Sequence, residues 1–387
     1  MKNTLSAKVW FVIVFLALFA VGFWLARQRF VWNDEIYTQL STVEGRSYTD
    51  LILGRIKEGS VSPLFYLMQK VLGITLHYTS PMEWHTDMGF DHFPSRIVLR
   101  LNSIFFMSLA VAAIFYFFYR FYSSPAGVYS LLVALSSYMV WAFWAEGRPY
   151  ALWFFLTTMQ SLFYLYLVRE GKKSQAAWSS LAAIHLLLSL ASVFSIVQIL
   201  IVSFLLWFFV KKSPRRYILP MLIPSMICLY YYLQSPQYRF WFADSPGELI
   251  SANIPKDRFV LIFLFIIFAL LYFYQRKKNV QIIKTDLMQE GIVYLSFLGL
   301  LLAATGAIML KFKLGESASH EGFQVSSRYF IYLAPAGIVA ATLFSIGMWK
   351  ALQGRRGLQA LLAVVIVFLL VIRLQRTFDL VKGYYHF

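Results

Sequence analysis

Acidic side chains are scarce in this chain, 18 Asp and Glu in 387 residues, yet Asp34 and Glu35 stand side by side a few positions after the first long apolar run. A carboxylate at a membrane-water boundary can take a proton from a hydroxyl. The same pair also suits plain helix chemistry: Asn33 can cap a helix, and acids in its first turn match the positive end of the dipole. Other unusual charges open or close later apolar runs: Arg96 and Arg100, Glu146 and Arg148 just before Pro149-Tyr150, and Arg328 before Tyr329. Charge at membrane depth is costly, so four helix ends that place it on one face imply a shared polar cavity. An arginine fork there suits a phosphate and a carboxylate suits a hydroxyl. Snorkelling toward lipid headgroups is the plain alternative for each arginine.

The elements that must position these groups are membrane helices. A chain that is 59% hydrophobic and 19% aromatic, with a mean hydropathy of +0.63, cannot hide its apolar surface in a water-soluble fold. The formal charge of +17 falls mostly in short basic clusters between apolar runs, the pattern of cytoplasmic loops, so no nucleic-acid partner is expected. Cys228 is the only cysteine, which excludes an internal disulfide and a thiolate metal cluster.

Lys2 and Lys8 precede an apolar run from about Val9 to Ala26 that reads as an uncleaved signal anchor with its N-terminus inside. Residues 27–95 then form a large external loop with helices too short to span. Ile36, Leu40 and Val43 repeat at helical spacing, Thr49 caps a short helix, and Ser62-Pro63 starts another that Gly73 stops. Tyr37, Phe65 and Tyr66 suit helices lying along the interface. Ten further spans are expected at about 97–119, 125–143, 149–168, 176–190, 192–210, 217–233, 258–274, 290–310, 328–349 and 357–372. The result is an all-α polytopic membrane protein of about eleven transmembrane helices, in one domain over residues 1–387. Alternating the spans puts the basic clusters at Arg169/Lys172/Lys173, Lys211/Lys212/Arg215/Arg216, Arg276/Lys277/Lys278 and Lys350/Arg355/Arg356 inside.

In the first loop His85, Asp87, Asp91 and His92 are ligand types for Zn or Mn, so a divalent cation is a candidate cofactor. Their spacing matches no compact metal motif; the other reading is an aromatic, polar cover over a substrate site. His185, inside an apolar span, reads as a hydrogen-bonded interhelical residue.

Taken in order, Asp34-Glu35, Ser62-Pro63-Leu64-Phe65-Tyr66, Arg100-Leu101-Asn102-Ser103, Glu146-Gly147-Arg148-Pro149-Tyr150 and Arg328-Tyr329 resemble the motif succession of the GT-C glycosyltransferases. More narrowly the chain is similar to the protein O-mannosyltransferase and lipid A aminoarabinose transferase group (glycosyltransferase family 39-like). The correspondence covers most of the first 210 residues and weakens after that. The resemblance implies a GT-C-like bundle that transfers a sugar from a polyprenyl-phosphate donor to a lipid, glycan or protein acceptor outside the membrane, with inversion. It implies Asp34 as catalytic base and Glu35 as the neighbour that orients the acceptor or an arginine. Arg100, Glu146, Arg148, Tyr150, Arg328 and Tyr329 then belong to the donor-phosphate and substrate site. The implied location is a bacterial inner membrane, with membrane lipids as surroundings. Ser62 departs from the family's paired prolines, and the chain lacks the large luminal or C-terminal domains of its better-known members. Two further functions fit a charged cavity among helices: a transporter or flippase of a lipid-linked saccharide, which calls for broken helices, and a polysaccharide polymerase or ligase, which calls for a large loop late in the chain.

Overall fold

A computed structural model describes residues 4–29, 31, 33–56, 62–76, 93–170, 175–209, 215–235, 285–315, 330–383 and 385. Every regular element among them is a helix. Seven of these helices are long and apolar enough to cross a membrane, and the chain is an integral membrane protein, all-helical among the described residues. In lipid the helix is the open-chain structure that satisfies its own backbone, which is why long apolar runs settle this part of the architecture.

The seven lie in α1 (Thr4–Gln28), α5 (Phe93–Phe121), α8 (Tyr150–Glu170), α11 (Arg215–Gln234), α12 (Thr285–Gly315), α13 (Leu333–Ala351) and α14 (Arg356–Val381). The expected span at 125–143 is instead a bent pair, α6 (Ser124–Leu135) and α7 (Tyr138–Trp144), turned by 68°. The break at Ser136-Ser137 is closed chemically. Trp141 Nε1 donates to Leu135 O at 2.6 Å, and Thr377 Oγ1 of α14 donates to Ser136 O at 2.8 Å. The runs at 176–190 and 192–210 are two separate, shorter helices, α9 (Gln175–Ala191) and α10 (Ser195–Phe209). The span expected at 258–274 lies outside the described residues, as do the loop histidines.

Between α1 and α5 lie short helices, α2 (Asn33–Tyr37), α3 (Tyr48–Ile52) and α4 (Leu64–Leu76). Asn33 is the first residue of α2 rather than its cap. A π-helical stretch, Thr38–Glu44, continues α2, and Gly45 N–H closes it on Leu40 O, five residues back, at 3.0 Å. Ile36 and Val43 of the expected apolar repeat are buried and Leu40 is half-buried. The cap of α3 is Ser47, not Thr49: its side chain accepts from Asp50 N–H at 3.1 Å. Helix α4 runs through Gly73 to Leu76, because one glycine costs only about 1 kcal/mol against the apolar packing around it.

Helix α5 is the central post, packed by α1, α6 and α8. Two glycines permit the closest approaches. A Cβ on Gly22 of α1 would come 2.8 Å from Ile104 and 2.5 Å from Trp144 Nε1. One on Gly127 of α6 would come 2.9 Å from the Tyr119 Cα, which is backbone and cannot swing aside. Gly127→Ala should therefore cost about 1–3 kcal/mol, the usual penalty of overpacking. Gly299→Ala, where nothing lies within 4 Å, should leave stability unchanged or improve it slightly. Melting of the two variants in detergent checks the contrast; equal melting temperatures would show that the α5–α6 contact is looser than described.

Candidate functional site

The chain leaves α1, turns through α2, returns along α4 and enters α5, while the Ala145–Pro149 turn between α7 and α8 approaches from the other side. Their meeting point holds three ion pairs. The deepest joins Glu35 of α2 to Arg100 of α5, both side chains having no exposed area. Arg100 Nε donates to Glu35 Oε1 at 2.9 Å and Nη2 to Oε2 at 2.8 Å, while Nη1 donates to the carbonyls of Ala26 and Arg29 at the end of α1. Glu35 Oε1 also accepts Gly147 N–H at 2.6 Å. One carboxylate and one guanidinium thus tie α1, α2, α5 and the 145–149 turn together.

Gly147 is glycine for a steric reason. A Cβ there would lie 2.8 Å from Leu99 Cγ and 3.0 Å from Leu99 O, so any side chain would push the turn off Glu35. Leu99 O is held in turn by Gln69 Nε2 at 3.0 Å, and Asn102 Nδ2 donates to Gln69 Oε1 at 2.8 Å, which docks α4 beside the same joint.

The second pair, Arg29 with Glu146, is also buried: Arg29 Nη2 lies 3.0 Å from Glu146 Oε2, and Nη1 donates to Ala142 O at 2.6 Å. The guanidinium carbon stands 5.7 Å from the Tyr385 ring, whose hydroxyl donates to Trp141 O at 2.6 Å. The third pair faces outward. Arg148 Nη1 meets Asp34 Oδ2 at 2.9 Å, with side-chain exposures of 9% and 36%. Arg148 is braced by Tyr150, whose ring centre is 5.6 Å from the guanidinium carbon and whose hydroxyl accepts from Nη2 at 3.4 Å; Ser103 Oγ donates to Arg148 O at 3.3 Å.

Burial disfavours ionisation of Glu35, but the Arg100 charge, its two hydrogen bonds, Arg29 and Gly147 N–H outweigh it and hold the carboxyl below its ordinary value. Burial likewise works against the charge on Arg29, and Glu146 foremost overcomes it. Burial pushes the Tyr385 hydroxyl up, so it stays protonated as the donor to Trp141.

Asp34, Glu35, Arg100, Glu146, Arg148 and Tyr150 are therefore one constellation of paired charges. Their roles divide by depth. Arg100 points four hydrogen bonds at Glu35 and two carbonyls and has no exposed face, which leaves it holding the frame rather than a ligand phosphate. Glu35 and Glu146 are the framing carboxylates. Asp34 is the one of the three that meets water, beside an arginine at the edge of the frame. Arg328, Tyr329, His85, Asp87, Asp91 and His92 lie outside the described residues, and of Arg96 the backbone alone is described, in the first turn of α5. Among the described residues no three His, Cys, Asp or Glu side chains converge as metal ligands. Sequence reasoning missed Arg29, Tyr385 and Gln69; the one available signal was an unclaimed arginine just past the first span, opposite in sign to Glu146. His185 is the interhelical residue expected: its ring joins Gln160 at 2.9 Å and Met221 O at 3.1 Å.

No protein-family model matches the chain, and a search of curated proteins finds no match.

The buried pair predicts a stability profile. Glu35→Gln leaves Arg100 charged in the interior and should cost about 3–5 kcal/mol. Because the folded carboxyl titrates below its ordinary value of 4.5, the Glu35 contribution is complete above that pH and is lost as pH falls through the lower folded value. The gap in melting temperature between wild type and variant should be flat from neutral pH to about pH 5 and close below pH 4.5. A gap that closes between pH 7 and 6 would contradict the clamp.

Proposed function

We propose that the chain is a GT-C-type glycosyltransferase that moves a sugar from a polyprenyl-phosphate carrier to an acceptor hydroxyl at the external face of a bacterial inner membrane. The acceptor O–H loses its proton to Asp34, the oxygen forms a bond to the anomeric carbon from the face opposite the phosphate, and the carbon-phosphate oxygen bond breaks with inversion. Polyprenyl phosphate leaves as an anion, so it needs cationic stabilisation more than acid catalysis. Arg148 is the described cation nearest the base and supplies part of it; Arg328 is the expected second. Glu35, Arg100, Arg29 and Glu146 act by holding the frame.

The single observation that carries this reading is the outward Asp34–Arg148 pair, a carboxylate 36% exposed beside an arginine, fixed on a joint of buried charge. The first described residues after Arg328-Tyr329 support it further: Phe330 packs on Phe194, and Tyr332 on Trp153 in the first turn of α8, at 5.9 and 5.5 Å between ring centres. The late helix thus begins beside the turn that carries Arg148. The full scheme has about eleven spans, the N-terminus and basic clusters inside and residues 34–95 outside. An impermeant thiol reagent on intact cells should label a cysteine introduced near Ser80 and not one near Lys212; the reverse would invert the scheme.

Transport of a lipid-linked saccharide has one observation in its favour, the 68° break between α6 and α7. Broken helices at transport sites present unwound carbonyls to a ligand. Here the Leu135 and Ser136 carbonyls are already taken by Trp141 and Thr377, so the break serves as a joint.

Asp34→Asn separates the readings. The protein should fold and insert normally and retain donor binding, while single-turnover transfer from a defined polyprenyl-phosphate sugar falls by roughly two or more orders of magnitude. Near wild-type transfer would remove Asp34 as base. Arg148→Ala should weaken donor binding and Arg148→Lys restore it only partly, since a single ammonium cannot keep the Asp34 contact and reach the phosphate as a spread guanidinium can. Unchanged donor affinity in the Ala variant would take Arg148 out of the phosphate site.

A further inference from the structure

A second charged cluster sits at the far end of α5. From Arg100 to Arg120 that helix rises about 30 Å, the thickness of a hydrocarbon core. Three cations from three helices converge there on two adjacent rings: Arg169 of α8 at 5.8 Å from the Phe121 ring centre and 5.2 Å from that of Tyr122, Lys350 of α13 at 5.8 Å from Tyr122, and Arg120 of α5 at 6.0 Å from Phe121. Two carboxylates face them. Glu290 of α12 is buried and accepts the Tyr122 hydroxyl at 2.5 Å, and Glu170 neighbours Arg169. Both stand 3.8 Å from Arg169, longer than a hydrogen bond, so the guanidinium rests against the aromatic faces and the Tyr122 hydroxyl rather than in a carboxylate fork.

This contrasts with the opposite rim, where Arg100 is saturated at hydrogen-bond distance. The far cluster keeps a positive balance, with Lys350 exposed and Arg120 half-buried; the sequence adds Lys172 and Lys173 after Gly171. We propose that this cluster binds the phosphodiester headgroup of an anionic phospholipid from the surrounding leaflet. Arg169 and Lys350 meet the phosphate oxygens and Arg120 closes the site. Phe121 and Tyr122 lie at headgroup depth, where an amphipathic ring accommodates the glycerol and upper acyl chain. A lipid rather than a free anion fits because the cations lie at the ends of helices apolar enough to span a membrane, where Lys350 and its neighbour Trp349 are exposed. Basic pockets between transmembrane helices hold such headgroups through charges worth roughly 1 kcal/mol each.

The test uses the full chain, purified in detergent and mixed with phosphatidylglycerol or zwitterionic phosphatidylcholine, with retained lipid read by native mass spectrometry. Wild type should retain phosphatidylglycerol over phosphatidylcholine by about 25-fold or more, the product of the contributions of the two cations. Arg169→Gln with Lys350→Gln should lose that preference, by about fivefold for each cation removed. Lys350→Gln alone, at an exposed helix end, keeps the test informative should the double variant fail to fold. Equal retention of the two lipids by wild type, or an unchanged preference in the single and double variants, would overturn the proposal. So would displacement of the lipid by millimolar inorganic phosphate, which would mark a free-anion site.

Discussion

The bond between Glu35 and Arg100 is the constraint from which the rest of this structure follows. Moving an ion pair out of water costs several kcal/mol per charge unless geometry and further hydrogen bonds compensate. Here they do: the carboxylate receives the guanidinium and the Gly147 amide, and the guanidinium takes in addition two carbonyls from the frayed end of α1. Those carbonyls belong to a helix terminus that would otherwise leave them unsatisfied. The pair thus serves the backbone of one element, the entry of another and a tight turn between two more. Removing either partner would leave a charge stranded in the interior.

Such a joint explains why two adjacent carboxylates have different fates. Neighbouring residues on a helix point about 100° apart, so when Glu35 turns inward to Arg100, Asp34 is set at the edge. Its partner Arg148 is held on the same turn that Gly147 anchors, two residues from the buried Glu146–Arg29 pair. The exposed pair is positioned by charges that are themselves buried. The exposure of Asp34 and the burial of Glu35 are two consequences of one arrangement.

Much of this was legible in the sequence because the relevant physics is local. Long apolar runs become α1, α5 and α8 since lipid leaves the backbone little choice, and Asp34, Glu35, Arg100, Glu146 and Arg148 stand out because ionic groups are rare in such a chain. Pairing was not legible. Arg29 and Glu146 are 117 positions apart and Glu35 and Arg100 are 65, and no local pattern says which arginine takes which acid. Arg100 therefore looked like a phosphate ligand until its donors were seen to be occupied. The bend at Ser136-Ser137 was missed because neither serine forces a break; it is stabilised by Thr377, 241 positions away. The cap of α3 and the passage of α4 through Gly73 are errors of a residue or a turn, where several residues offer similar signals and packing decides.

The account rests on Glu35 and Arg100 acting as one unit, and a double-mutant cycle measures that directly. Stabilities of wild type, Glu35→Gln, Arg100→Gln and the double variant, taken in one detergent at neutral pH, give the coupling free energy. The account predicts a coupling of about 3 kcal/mol, with the double variant little worse than either single one, because the second substitution removes the charge that the first left stranded. Additive losses, with a coupling near zero, would contradict it and leave the position of Asp34 without its physical explanation.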